Sequence, residues 1–309
     1  MPAKHVIIPI FVPHKGCPHD CIFCNQKKIS GQIEEMTVDR VPQIIESHLQ
    51  TIKQDAFVEI AFYGGSFTAI EKSVQKSFLE KANIYLSNGS ISEIRLSTRP
   101  DYIDDDILDF LMQYGVRTIE LGVQSLDDDV LKSSCRGHDA ACVYKAASLI
   151  KKKGLRLGIQ TMTGLPKDTQ EKCLYTAQQV ISISPEIVRI YPVLVIKGTF
   201  LEELYTKGLY KPQGLNDAVD LCAKLMKRYE DNGIKVIRIG LQTSDSMEKN
   251  NLMGKKEIII KTGKSNISNV IGIKRSNINI IKEKYCISSV TVSADKSLSR
   301  EIICMAPGI

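Results

Sequence analysis

The chain has 309 residues, 43% of them apolar and 25% charged, which is a globular composition and excludes a disordered or fibrous chain. No apolar run approaches the ~20 residues of a membrane-spanning helix, and one Lys before a strand-like run, with no small-residue cleavage site, does not make a signal peptide. The net charge of +6 sits in the last fifth: residues 251–309 hold ten Lys/Arg against four Asp/Glu, while residues 1–250 balance. That asymmetry points to a polyanionic partner or to a solvated basic tail.

In chain order, β-rich apolar runs fall at 6–12, 57–63, 93–97, 117–123, 155–162, 186–195 and 234–239. Helical spacing covers 37–54, 69–88, 103–114, 139–152, 168–183, 199–207 and 216–232, with Pro42 tolerated near the start of the first of these. Strands alternating with helices indicate βαβ units on a parallel sheet. Six such units with a candidate seventh strand predict a partial or full barrel, whose chemistry belongs at the C-terminal strand ends.

The first strand leads into Gly16-Cys17-Pro18-His19-Asp20-Cys21-Ile22-Phe23-Cys24, a C-x3-C-x2-C loop. Soft thiolates select zinc, Cu(I) or iron–sulfur. Zinc completed by His14 or His19 is one reading, although structural zinc usually takes two separated ligand pairs. The other is a [4Fe–4S] cluster, which normally has four Cys ligands, so that three leave one iron open. Nine Cys in a chain without a leader predict reduced thiols in the cytoplasm. Cys135, Cys142, Cys173, Cys222, Cys286 and Cys304 form no second triplet and are expected to be small buried side chains. Asp101 and Asp104 to Asp106 read as acids at helix N-termini, and Arg136-Gly137-His138 as a turn or a functional segment.

Further motifs follow in order: Tyr63-Gly64-Gly65-Ser66-Phe67, Thr98-Arg99-Pro100-Asp101, Glu120-Leu121-Gly122-Val123-Gln124-Ser125, Gly164-Leu165-Pro166 and Arg189-Ile190-Tyr191-Pro192. With the Cys loop, they resemble the radical S-adenosylmethionine (SAM) superfamily, and within it the radical SAM domain of the Elongator catalytic subunit and its bacterial relatives. The resemblance covers residues 5–242. It implies an α/β fold, a partial (β/α)6-type radical SAM barrel, followed by a small α+β basic domain. It also implies a [4Fe–4S] cluster on Cys17, Cys21 and Cys24, SAM on the open iron, and an electron donor such as ferredoxin or flavodoxin. The cofactor supplies a 5′-deoxyadenosyl radical, and a closed apolar barrel mouth is expected to protect it.

The same resemblance gives SAM contacts to Gly64, Gly65, Gln124 and Arg136, with Phe23 near the adenine and Ser97 as a further cofactor-binding candidate. Two positions depart from the coproporphyrinogen oxidase pattern, Ser97 in place of an acid and Gln160 in place of an Asp. No catalytic residue is assigned. The barrel is expected over 1–243, a polar linker over 244–256 and a basic domain over 257–309. Strands at 257–261, 287–293 and 301–305 and helices at 266–271 and 276–285 resemble a KH-type RNA-binding domain, with Arg275 where the second Gly of the loop would stand. The remaining length is too short for Elongator's acetyltransferase domain. The expected substrate is tRNA or another RNA. The alternatives are a small-molecule or porphyrin-like substrate, or a non-catalytic iron–sulfur RNA-binding protein.

Overall fold

The computed structural model describes residues 5–12, 17, 21–25, 36–53, 55–241, 257–262, 267, 289–294 and 302–305. Its main sheet holds β1 (His5–Phe11), β2 (Phe57–Tyr63), β3 (Glu93–Thr98), β4 (Val116–Gln124), β5 (Arg156–Thr163), β6 (Ile187–Pro192) and β7 (Lys235–Ile239). The strands are all parallel and neighbour one another in chain order. No pairing closes β7 onto β1 among the described residues. The molecule is therefore a partial barrel with the seventh strand present.

The crossovers are α1 (Arg40–Leu49), α2 (Lys72–Ser87), α3 (Asp105–Gln113), α4 (Asp128–Ser133), α5 (Ala140–Lys152), α6 (Gln170–Ile183), α7 (Phe200–Thr206) and α8 (Leu215–Asp231). Polar side chains start five of them by accepting a hydrogen bond from a first-turn amide: Asp104, Asp127, Asp139, Thr169 and Thr199. Asp104 to Asp106 are thus helix-start acids as expected. Asp101 too lies in a first turn, that of the short 3-10 helix Pro100–Tyr102, and pairs there with Arg99. The one-and-a-half turns of α4 were too short to show a period in the sequence.

Strand alternation separates two faces. Ile8, Ile60, Ile94, Leu121, Ile159 and Val188 bury against the helices in one core that also takes in Ile45, Leu79, Leu108, Val143, Val180 and Leu225. The other face carries charge. Here Glu59, Arg95, Glu120 and Arg189, one charge from each of β2, β3, β4 and β6, are all buried.

Glu120 is the hub. Its Oε1 accepts from Arg95 Nη1 (3.1 Å), Arg189 Nη2 (3.0 Å) and the Tyr63 hydroxyl (3.3 Å), and its Oε2 from Arg189 Nε (2.6 Å) and Gln160 Nε2 (3.0 Å). Arg95 also binds Glu59, which is paired with His5 and, at 3.4 Å, with Arg156. Burial raises the Glu120 pKa, but hydrogen bonds and charge from Arg189, with Gln160 and Arg95, lower it overall. The same carboxylate, hydrogen-bonded to Arg189, holds the Arg189 pKa above its usual value despite burial.

A second sheet has the order β10-β8-β9, with β8 (Glu257–Thr262) parallel to β9 (Ser289–Ala294) and antiparallel to β10 (Ile302–Met305). The three strands lie where the sequence put them. A parallel pair needs a long crossover, and residues 263–288 supply the length. Apart from Ile267, which is helical, the helices and loop expected there, and the linker at 244–256, fall outside the described residues.

Glu120→Gln leaves Arg189 without its carboxylate and Arg95 with Glu59 alone, and is expected to destabilise the fold by about 3–5 kcal/mol, read as a lowered urea midpoint. Because the folded-state pKa of Glu120 is depressed, its contribution is present above the ordinary glutamate pKa and is lost as pH falls through the depressed value. Acid titration should therefore erase most of the difference between the variant and the parent.

Candidate active site

The Cys loop is pinned on two sides. Ile22 N donates to Ser134 O (3.3 Å), at the end of α4, and Leu201 N donates to Ile22 O (2.8 Å), at the start of α7. Cys24 N turns back onto Cys21 O (2.9 Å). Ile22 enters a small apolar cluster with Val130, Leu165, Val193, Leu201 and Tyr210, and Phe23 packs against it. This rim is the apolar element of the barrel mouth.

Gly64 and Gly65 follow β2. Gly64 has φ +103°, and a Cβ there would stand 2.8 Å from the carbonyl oxygen of Val12, the residue after β1. Glycine is therefore required for close approach of the Gly-Gly turn to the strand end that leads into the Cys loop. Beside it, Ser66 Oγ and Thr68 Oγ1 meet Thr98 Oγ1 at 2.7 and 2.6 Å, and Arg99 N donates to Ser66 Oγ (3.3 Å). These buried hydroxyls tie the ends of β2 and β3 together.

At the end of β4, Gln124 has φ +69°, an unusual conformation for a side-chain-bearing residue, and follows a register shift at Gly122. It is 9% exposed, and its amide oxygen is buried without a partner. Left-handed backbone and an unsatisfied buried acceptor thus coincide at this one residue. A Cβ on Gly122 would lie 3.1 Å from Gln124 Nε2 and 3.5 Å from Arg136 Nη2, so glycine leaves room for both side chains.

Arg136 is buried between α4 and α5. Its Nη1 donates to Cys21 Sγ (3.1 Å), its Nη2 donates to Gly122 O, and its Nε has no partner. The Arg-Gly-His segment is thus more than a turn. Burial and the Arg136 charge push the adjacent His138 down to about 4, so its ring is neutral at physiological pH.

The structure brings Arg136 to Cys21, and places Gln124 and Gly122 beside Arg136. Ser97 is half-buried and in register with Glu120, and Gln160 donates to that same carboxylate. Both positions that depart from the coproporphyrinogen oxidase pattern therefore lie beside the buried Glu120. His14 and His19 lie outside the described residues. Of the remaining cysteines, Cys173 and Cys222 are buried, Cys142 is half-buried and Cys135 is exposed, against the expectation of uniform burial. Cys135 sits at φ +51° in the α4–α5 turn, which carries its side chain outward. Side chains of Cys286 and Cys304 are outside the described set.

Sequence reasoning gave no role to Glu120, Arg189 or Arg99, and read Asp101 only as a helix-start acid. A lone charge inside an apolar run of a parallel strand was the available signal for the first two. Arg99 donates from Nε and Nη2 to both Asp101 carboxylate oxygens (2.9 Å each) and also binds Arg136 O. Burial lowers its pKa, while the Asp101 hydrogen bonds and charge, then the Cys21 and Cys17 sulfurs, raise it overall.

A partial parallel barrel with a three-Cys loop after its first strand and a Gly-Gly turn after its second defines a radical SAM type of protein. The comparisons agree: the Radical SAM superfamily model matches residues 11–180, and the radical SAM C-terminal domain model matches residues 185–263. The chain belongs to the radical SAM superfamily.

It is 30% identical over 224 residues to an uncharacterised protein of Methanocaldococcus jannaschii, covering 69% of this chain and 68% of that one. It is 27% identical over 257 residues to the tRNA uridine(34) acetyltransferase of Methanocaldococcus infernus, covering 70% of this chain but 48% of the relative, about half its length. The solved archaeal Methanocaldococcus infernus Elp3 shares the fold with a TM-score of 0.63 at 19% identity, covering 87% of this chain and 67% of that one.

The chain is a radical SAM enzyme, and its family implies a [4Fe–4S] cluster and SAM. Among the described residues, no three His, Cys, Asp or Glu side chains converge as a metal-ligand group. The fit rests on donor chemistry and surroundings. Thiolates suit iron–sulfur, guanidinium lies against one of them, and the unpartnered Gln124 Oε1 and Arg136 Nε are buried polar atoms suited to a polar ligand. Among the described residues no helix is long and apolar enough to cross a membrane.

Gly64→Ala forces a side chain into left-handed backbone and onto Val12, and is expected to cost at least about 1 kcal/mol. A lowered thermal midpoint checks this, with Gly89→Ala, where no atom lies within 4 Å of the added Cβ, as the control for strain alone.

Proposed function

We propose that the cluster is held by Cys17, Cys21 and Cys24, that SAM is oriented by Gly64, Gly65, Gln124 and Arg136 with Phe23 at the adenine, and that the enzyme modifies tRNA. The observation that carries the site is the Arg136 guanidinium, which reaches the loop sulfur of Cys21 from the turn between α4 and α5 while its Nε remains free for a further acceptor. Likeness to tRNA uridine(34) acetyltransferases and the basic excess of residues 251–309 support RNA over a small molecule. In this reading residues 1–243 are the barrel domain and residues 257–309 the RNA-facing domain. Redox partners of the ferredoxin or flavodoxin kind would supply electrons.

When bound, the cluster provides the electron that cleaves SAM to a 5′-deoxyadenosyl radical. The chain's own residues do the rest. Arg136 would offer positive charge to a carboxylate, and Gln124 Oε1 would accept a hydrogen bond from an ammonium or hydroxyl group. The Gly-Gly turn lets main-chain groups approach closely. The apolar rim of Ile22, Val130, Leu165, Val193 and Leu201 excludes water from the mouth.

Anaerobic reconstitution tests this. The parent chain should take up iron and sulfide and form 5′-deoxyadenosine under a strong reductant; Cys17→Ala should abolish both, and Cys142→Ala should change neither by more than about twofold. Added tRNA should raise 5′-deoxyadenosine formation. Equal turnover with and without tRNA would remove the RNA substrate.

A further inference from the structure

Arg99 stands outside every role given so far, yet it is among the most buried charges in the molecule, 2% exposed. Its guanidinium is gripped in a fork by Asp101, with both contacts at 2.9 Å, and it also donates to the main-chain oxygen of Arg136. Its amide hydrogen-bonds Ser66 Oγ, which fixes the backbone at the end of β3. The remaining nitrogen, Nη1, lies 4.0 Å from Cys21 Sγ. Arg136 Nη1 lies 3.1 Å from the same sulfur, which is itself buried. One of the three loop cysteines therefore has two guanidinium neighbours.

We propose that Arg99 and Arg136 form a cationic clamp on the Cys21 sulfur that raises the reduction potential of the bound cluster, with Arg99 the positioning residue of the pair. The inference rests on reading Cys21 as a cluster ligand.

The physical reason is charge balance. Reduction adds an electron to a cluster–thiolate unit that is already negative. Potential in such centres is set by net charge, hydrogen bonds to sulfur and solvent exposure, and groups behind the ligands tune them. Two buried cations at one sulfur favour the reduced form. Asp101 offsets part of the Arg99 charge but lies on its far fork, orienting Nη1 toward the sulfur side. A Lys at 99 would keep the charge and lose the planar fork that meets Asp101 and Arg136 together.

The test is a redox titration of the reconstituted full-length protein followed by EPR, with iron content measured in parallel. Arg99→Gln should make the reduction equilibrium at least tenfold less favourable, about 59 mV more negative for a one-electron couple. Arg99→Lys should fall between Arg99→Gln and the parent, and Arg136→Gln should also move negative. If the parent chain takes up no cluster, the ligand reading fails and the clamp falls with it. If the parent and both Arg99 variants load and titrate together, the clamp is wrong while the ligand reading stands. Should Arg99→Gln hold no iron, Arg136→Gln decides by the same criterion. Loss of iron from both, with unchanged far-UV circular dichroism, would also overturn the redox role and leave Arg99 a structural residue.

Discussion

A carboxylate at the centre of the sheet sets the shape of everything above it. Glu120 is 1% exposed and accepts hydrogen bonds from side chains on β2, β3, β5 and β6. A buried ion is tolerated only when its partners replace water almost completely. Here they do, and because the partners come from four strands, the satisfaction of one charge fixes the relative placement of five. Burial alone would favour the neutral acid. Two guanidiniums and an amide reverse that, and the Tyr63 pKa in turn is pushed up, first by its own burial and then by the Glu120 charge.

The strand ends inherit this order. Tyr63 is both the last residue of β2 and a partner of Glu120 and Arg189, so the hub sits directly beneath the Gly64 turn. The hydroxyls of Ser66, Thr68 and Thr98 then bind the β2 and β3 ends to each other. Gln124, four residues along β4 from Glu120, pays for its position with left-handed backbone. The Cys loop rests on this platform through Val12, Ser134 and Leu201. The site is thus assembled from the ends of several strands, each positioned by side chains deeper in the sheet.

Much of this could be read from residues alone. The strands were visible because parallel strands buried on both faces read as apolar runs, and most helices because they run two turns or more with an Asp or Thr at the start. The Cys loop and the Gly-Gly turn carried their chemistry in their spacing. The inner charges were harder. Glu59, Arg95, Glu120 and Arg189 each lie singly in a strand, far apart in sequence, and nothing local shows that Arg189 meets Glu120. Arg99 carried no role and Asp101 was read only as a helix-start acid, because a fork two residues apart depends on the 3-10 turn at Pro100–Tyr102. Gly64 was expected to serve a ligand, and the structure adds a packing reason at Val12. The KH-like reading of the basic segment depends on a loop that lies outside the described residues.

The central claim is that the loop sulfurs and the β4 end face one shared ligand. The EPR spectrum of the reduced, reconstituted protein, recorded with and without SAM, tests it most directly. The account predicts that SAM changes the cluster signal and that Gln124→Ala requires more SAM to produce the same change. A cluster signal indifferent to SAM at saturating concentration would contradict it.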